Sequence, residues 1–268
     1  MKSILRYPGS KWNLANRIVS MIPEHKSYLE PFFGSGAVLF TKQQSPIETI
    51  NDLDDNIVNL FTVIRTRPEE LKRIIELTPY ARAEYDAAFK IKTDDPVEKA
   101  RLFLIKSLQS HGFRVIEKSG WKNDVQGREK SYCVKHFNEL PSIINEITCR
   151  LKQVQIEHMD AVKLIKRFNY DNVFIYLDPP YVLNTRTRKQ YNHEMTDEDH
   201  IHLLETIMDS KAKIMISGYQ SELYDSYLKK WYRSEYAATA EQGLKRTEVI
   251  WTNYESCGTQ MSIEQFIS

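Results

Sequence analysis

Residues 173–181 read Val-Phe-Ile-Tyr-Leu-Asp-Pro-Pro-Tyr, an apolar run stopped by an acid and two prolines. An apolar run without alternation suits a strand buried on both faces, the habit of a parallel sheet covered by helices on each side. Neither proline can extend a ladder, because each lacks an N–H and has its φ fixed. The strand has to end at Asp178, and the chain beyond must leave the sheet. Doubly wound α/β sheets bind their ligands outside the carboxyl ends of the strands. This stretch therefore predicts both a fold class and a place to look for chemistry.

The strand–helix rhythm recurs along the chain. Ser27 to Glu30 predicts a short strand that breaks into Pro31-Phe32-Phe33-Gly34-Ser35-Gly36, with a helix from Ala37 to Gln43. Ile47 to Leu53 predicts a second strand ending among Asp52, Asp54 and Asp55, then a helix through Val58, Phe61 and Ile64. From about Arg67 to Arg150 helical periodicity takes over: Pro96 follows Asp95 at a helix start, and Val97, Ala100, Leu104 and Leu108 share a face. His111 to His136 predicts a loop or loose hairpin, with a helix resuming near Asn138.

Alternation returns with a strand over Val154–Met159 and a helix over Ala161–Phe168. Thr196 and Asp199 then form a capping box, before a helix burying Ile201, Leu204 and Met208. Lys213–Tyr219 is a further strand, and Trp231–Thr239 and Arg246–Tyr254 pair antiparallel around a turn containing Gly243. The expectation is a Rossmann-like α/β sheet, mostly parallel with an antiparallel close. A discontinuous catalytic domain over 1–57 and 153–268 would carry an inserted, mainly helical unit over 58–152. The 268 residues, 41% of them apolar, suffice for such a core.

Three candidate sites fall at strand ends: Phe33 to Gly36, Asp52 and Asp178. Gly34-Ser35-Gly36 lets backbone approach a ligand, and the Asp52 carboxylate can accept from ribose hydroxyls. The turn lacks the third glycine of a dinucleotide fingerprint and the lysine of a phosphate loop, so a cofactor without phosphates fits better. By itself it is equally a tight turn that needs glycine for geometry. Asp178-Pro179-Pro180-Tyr181 is more specific. With donors deleted, the carboxylate of Asp178 and the carbonyl of Pro179 form an acceptor pair suited to an exocyclic amine, with Tyr181 available to stack on a base. The alternative is a rigid strand exit, just as Asp52 can instead serve as a helix cap.

At these residues the chain resembles the Dam-like, D12 class of DNA adenine N6-methyltransferases, over nearly its whole length and in the family's order. Arg6-Tyr7-Pro8-Gly9-Ser10-Lys11 resembles the N-terminal cofactor motif, Glu30 to Gly36 the glycine motif, and Asn51-Asp52-Leu53-Asp54 the ribose-binding acidic motif. Asp178 to Tyr181 matches the catalytic tetrapeptide. The resemblance implies transfer of a methyl group from S-adenosylmethionine to the N6 amine of adenine in double-stranded DNA; a duplex buries N6, so the adenine is expected to flip out, and no His or Cys cluster suggests a metal. It implies that Tyr7, Lys11, Asp52, Asp178 and, beyond the strand from Val154, Asp160 surround the cofactor. The segment between Gly112 and His136 differs from the target-reading hairpin of Dam itself, so a GATC target does not follow.

Net charge is neutral ground, with 37 Lys and Arg against 36 Asp and Glu, but clustering is not. Arg114 to Lys135 holds six basic residues (Arg114, Lys122, Arg128 and Lys130 among them) against three acids. Val182 to His193 carries Arg186, Arg188 and Lys189 without an acid. Such loops suit phosphate contacts, and the usual alternative is a solvated basic loop. Cys133, Cys149 and Cys257 lack metal or disulfide spacing, and no apolar stretch approaches a membrane span, which suits a cytoplasmic enzyme of bacterial or phage DNA. A cognate restriction endonuclease acting on the same site is a natural partner. N4-methylcytosine formation, a catalytically silent DNA-binding module and glutamine methylation remain the competing readings of an amine-holding tetrapeptide.

Overall fold

In a computed structural model, the described residues are 1–6, 9–113, 115–125, 132–182, 192–239 and 245–256. Seven strands make one sheet: β1 (Ser27–Glu30), β2 (Ile47–Asn51), β3 (Val154–Glu157), β4 (Val173–Leu177), β5 (Lys213–Tyr219), β6 (Tyr232–Thr239) and β7 (Lys245–Thr252). Their spatial order is β3-β2-β1-β4-β5-β7-β6. The first five run parallel, and β7 enters antiparallel between β5 and β6. The chain moves outward in one direction from β1 through β2 to β3, and in the other from β4 to β5. The topological switch therefore lies between the adjacent carboxyl ends of β1 and β4, where such sheets open a crevice.

Both faces of the sheet are covered. Phe174 and Tyr176 of β4 join a cluster with Tyr28, Ile50, Met215 and Ile250, packed by α1 (Ala15–Ser20), α2 (Ala37–Thr41) and α3 (Asp55–Thr66). Val173, Ile175 and Leu177 point the other way, into a cluster with α9 (Ala161–Arg167), α10 (Asp197–Met208) and α11 (Glu222–Tyr227). All five residues of β4 are buried, as its unbroken apolar run requires.

The helical segment adds α4 (Pro68–Glu76), α5 (Arg82–Ala88), α6 (Pro96–Gln109), α7 (Tyr132–Asn138) and α8 (Leu140–Leu151). Its apolar side chains Leu71, Tyr85, Leu104 and Ile147 belong to the same continuous cluster as Ile4, Leu5 and Tyr176. It thus shares the core of one sheet face, and a division at 57/58 falls within α3. Ser107 of α6 accepts the Arg6 N–H at 3.1 Å and donates to the Arg6 carbonyl at 2.7 Å, fastening the N-terminal segment to this layer.

Local signals place most element ends. Asp95 caps α6 by accepting from the N–H groups of Val97 and Glu98, with Pro96 at the first position. Thr196 and Asp199 form the reciprocal capping box of α10. Two expectations need correction. A helix begins at Tyr132, ahead of Asn138, and a second follows from Leu140. The buried stripe of α10 is His200, Leu203, Leu204 and Ile207, while Met208 is 41% exposed. Its register turns on a histidine that apolar counting leaves out: His200 is buried with Nδ1 2.9 Å from the Tyr224 hydroxyl.

Candidate active site

The crevice at the β1/β4 switch has walls from every parallel strand end nearby. Glu30 ends β1 and Pro31 follows it, Asn51 ends β2 and Asp52 to Asp54 follow, Met159 and Asp160 follow β3, and Asp178 and Pro180 follow β4. Gly9 to Lys11 and His193 to Met195 complete the wall. Among the described lining residues, Glu30, Asp52, Asp54, Asp160, Asp178, Glu194 and Asp199 are acidic, and Lys11 is the only lysine or arginine. Phe32, Phe33, Leu53, Met159, Val162 and Met195 supply apolar surface. Such a pocket favours a flat ring with hydroxyls and positive charge, and repels phosphates.

Asn51, almost fully buried, knits three strand ends together. Its side-chain amide donates to the Pro31 carbonyl at 2.9 Å and the Met159 carbonyl at 3.0 Å, and accepts the Met159 N–H at 2.9 Å. Asp52 does the same for the glycine turn, accepting the Gly34 N–H at 2.8 Å and the Asp54 N–H at 2.9 Å. Burial pushes its carboxyl up to about 6 against those donors. Asp54 is the residue that caps α3. Gly34 and Gly36 both have positive φ, 49° and 69°. A Cβ at Gly36 would stand 2.5 Å from the rings of Phe33 and Phe40. Gly36 stands behind the wall and lets the aromatic packing of Phe33, Phe40 and Phe61 close. Ser35 and Ser10 share a hydrogen bond at 2.9 Å, joining the N-terminal motif to the turn.

Lys11 is the centre of the polar cluster. Its ammonium donates to both oxygens of Asp178, at 2.8 and 3.0 Å, to the Gly9 carbonyl at 2.9 Å and to the Tyr181 hydroxyl. It also pairs with Glu248 at 3.0 Å. Burial works against the ammonium, but Asp178 and Glu248 outweigh it and hold its pKa well above the usual lysine value. Ser217 donates to Asp178 at 3.0 Å, and the Tyr176 hydroxyl lies 3.0 Å from Ser217. Burial raises the Asp178 carboxyl above its usual range, opposed by Lys11 and reinforced by Glu248. Tyr181 donates to Glu248, and its ring lies 4.2 Å from that of Tyr219, centroid to centroid. Pro179 is buried and Pro180 lines the crevice.

Lys11, Phe33, Gly34, Ser35, Asp52, Asp160, Asp178 and Pro180 thus meet at one crevice, with Asp160 also capping α9 through the Lys163 N–H at 2.9 Å. Tyr7, Arg114, Arg128, Lys130, Arg186, Arg188 and Lys189 lie outside the described residues. Lys122 is described: it is half-buried behind the bridge between Ser110 and Trp121, and burial with Arg6 nearby lowers its pKa. Sequence reasoning missed Glu30, Ser217, Asn192 and Glu248. Asn192 donates to Asp54 at 2.8 Å, next to His193 in the crevice wall. Glu30 accepts from the Tyr28 hydroxyl at 2.7 Å, and burial carries it to about 8. An acid inside the apolar strand Val249–Ile250–Trp251 approaches was the available signal for Glu248.

The sheet is doubly wound and Rossmann-like, with an antiparallel close and an acidic crevice at its switch point. The sequence matches the D12 class N6 adenine-specific DNA methyltransferase family over residues 7–248. It is 27% identical to the type II methyltransferase M1.LlaDCHI of Lactococcus lactis subsp. cremoris, over 95% of this chain and 96% of that protein. It is 26% identical to the type II methyltransferase M.MjaIII of Methanocaldococcus jannaschii, over 81% and 84%. With the DNA N-6-adenine-methyltransferase of Escherichia phage P1 the identity is 24%, over 81% of this chain and 30% of that one. The chain belongs to the D12 class of DNA methyltransferases, and its reaction moves a methyl group from a donor to the N6 amine of adenine in DNA.

Proposed function

We propose that the donor is S-adenosylmethionine, bound in the crevice at the β1/β4 switch, and that Asp178 receives the amine of an adenine flipped out of double-stranded DNA. The observation that carries this reading is the set of seven acidic side chains, Asp178 with its two following prolines among them, that with apolar walls surround one lysine. Sulfonium and ammonium charges suit such walls, as dinucleotide phosphates do not. The cofactor supplies a methyl group on a positively charged sulfur.

The remaining work falls to the chain. Asp52 keeps lone pairs on both oxygens after accepting two backbone N–H groups, enough for ribose hydroxyls. Phe33 and Met159 offer apolar surface to an adenine ring, with Asp160 beside it, and Tyr7 extends the N-terminal motif. Asp178 is held at three points by Lys11 and Ser217, so its position is set before substrate arrives. Accepting from N6–H, with the Pro179 carbonyl as second acceptor, it directs the nitrogen lone pair at the methyl group. Transfer would be direct, the methyl–sulfur bond breaking as the C–N bond forms, with the neutral thioether as leaving group and the proton passing from nitrogen to water. Flipping costs roughly a few kcal/mol, offset by contacts of the basic segments.

Residues 58–152 are proposed to read the target. Lys122, Arg114, Arg128 and Lys130 contribute from there, with Arg186, Arg188 and Lys189 from the second basic segment. The type II names of the relatives support a cognate restriction endonuclease sharing the site. The test is total nucleoside analysis of DNA from cells expressing the wild type and Asp178→Ala. N6-methyladenine in the first and its absence in the second is expected, with S-adenosylmethionine binding retained by the variant. Methylation by Asp178→Ala, or methylcytosine as product, would end this reading.

A further inference from the structure

Glu248 has a charge that the fold does not require. It is 4% exposed on β7, and its carboxylate accepts from Tyr181 and pairs with Lys11. A glutamine of the same shape would offer an acceptor to both. Lys11 already has a full counter-charge in Asp178 at 2.8 Å. A second buried carboxylate on the same ammonium costs desolvation and repels the first. In a purely structural cluster the cheaper neutral residue would do.

The surroundings of Glu248 tie it to the tetrapeptide. In the antiparallel ladder of β5 and β7 it lies directly opposite Tyr219, on whose ring Tyr181 packs. One cross-strand pair therefore holds both ends of Tyr181, the ring by Tyr219 and the hydroxyl by Glu248. A slip of β7 by one residue would exchange Glu248 for Thr247 or Val249 and reverse the face.

We propose that Glu248 is a positioning residue for methyl transfer: from β7 it shares the Lys11 ammonium with Asp178 and anchors the Tyr181 hydroxyl, so that Asp178 stays a strong acceptor for the amine. The proposal rests on the reading of Asp178 given above. By drawing on Lys11, Glu248 keeps Asp178 from being fully neutralised by its own ion pair. The groups facing Asp178 are Lys11 from the N-terminal segment, Glu248 from β7, Ser217 from β5, Tyr176 from β4, Glu30 from β1 and Tyr224 from α11. Of these, Glu248 raises its proton affinity, and Lys11 and Ser217 lower it.

The experiment compares the wild type, Glu248→Gln and Asp178→Asn in single-turnover methylation of duplex DNA across a range of pH, with cofactor binding and melting temperature measured alongside. Glu248→Gln is expected to lower the plateau rate by about tenfold, as for weakening one charged hydrogen bond in the site. It should also move the acid limb to lower pH, because Asp178 loses a like-charged neighbour, while cofactor affinity stays unchanged. A wild-type rate with a wild-type acid limb overturns the proposal. So does a rate loss that follows melting temperature with the limb unmoved, or a rate loss explained by weaker cofactor binding. An active Asp178→Asn would instead bring down the reading of Asp178, whatever Glu248→Gln shows.

Discussion

Two buried ion clusters sit at opposite ends of the sheet, and they are built with opposite surpluses. At the carboxyl end Lys11 is shared by Asp178 and Glu248, one cation for two acids. Near the amino end of β2, Glu48 is shared by Lys42 at 2.5 Å and by Arg150, one acid for two cations. The second cluster is sealed: the side chains of Lys42, Glu48 and Arg150 are 3%, 1% and 9% exposed. Ser45 donates its N–H to Glu48 at 3.0 Å, and Arg150 donates to the Leu39 carbonyl at 3.2 Å. This cluster joins α8 to the sheet and leaves no carboxylate oxygen for a ligand. In the first, Asp178 keeps 19% of its side chain open towards the crevice. A surplus of acid beside an opening makes a receptor for an amine, whereas a surplus of cation around one enclosed acid makes a rivet.

Removing one acid from each cluster is the sharpest way to break this comparison. Asp178→Ala leaves Lys11 and Glu248 as a matched pair, so the fold should hold while methylation falls by at least about a hundredfold, read by N6-methyladenine formation. Glu48→Gln leaves Lys42 and Arg150 buried without a counter-charge. It should cost about 3–5 kcal/mol in urea unfolding, with little change in rate per folded molecule. Equal stability losses in the two variants would show that the clusters do not differ as described.

The acids of the crevice also predict how stability depends on pH. Glu30 titrates at about 8 in the folded protein against its usual 4.5. Below that usual value both folded and unfolded chains hold the proton. Between the two values the unfolded chain ionises while the folded one stays protonated, so stability falls as pH rises and levels off above the folded value. Asp52, raised to about 6, adds a slope of the same sign over a lower window. Urea unfolding across this range should show the decline in the wild type and a flatter profile in Glu30→Gln. An unchanged slope would place its source elsewhere. The smallest effect is expected from Ser217→Ala, which removes one of three hydrogen bonds to Asp178 and should slow methylation by about tenfold or less.

The helix boundaries set by Asp95-Pro96 and Thr196, and the strand end at Asp178, were legible because capping and proline geometry act within a few residues. The stripe of α10 was not, because the burial of His200 depends on the Tyr224 hydroxyl of a later helix. Nor was the surface that receives the helical segment legible, since periodicity shows that helices bury a face but not which surface receives it.

The strand ended by Asp178-Pro179-Pro180-Tyr181 and the glycine turn after Glu30 were determined by the sequence itself, because missing donors and positive φ are properties of the residues in place. Only the tertiary structure decided that Lys11 meets Asp178 across 167 positions, that Tyr181 meets Glu248 across 67, and that Asn51 ties three strand ends into one wall. Those contacts come from strand order and register, and a charge carries no mark in the sequence of the partner it will find.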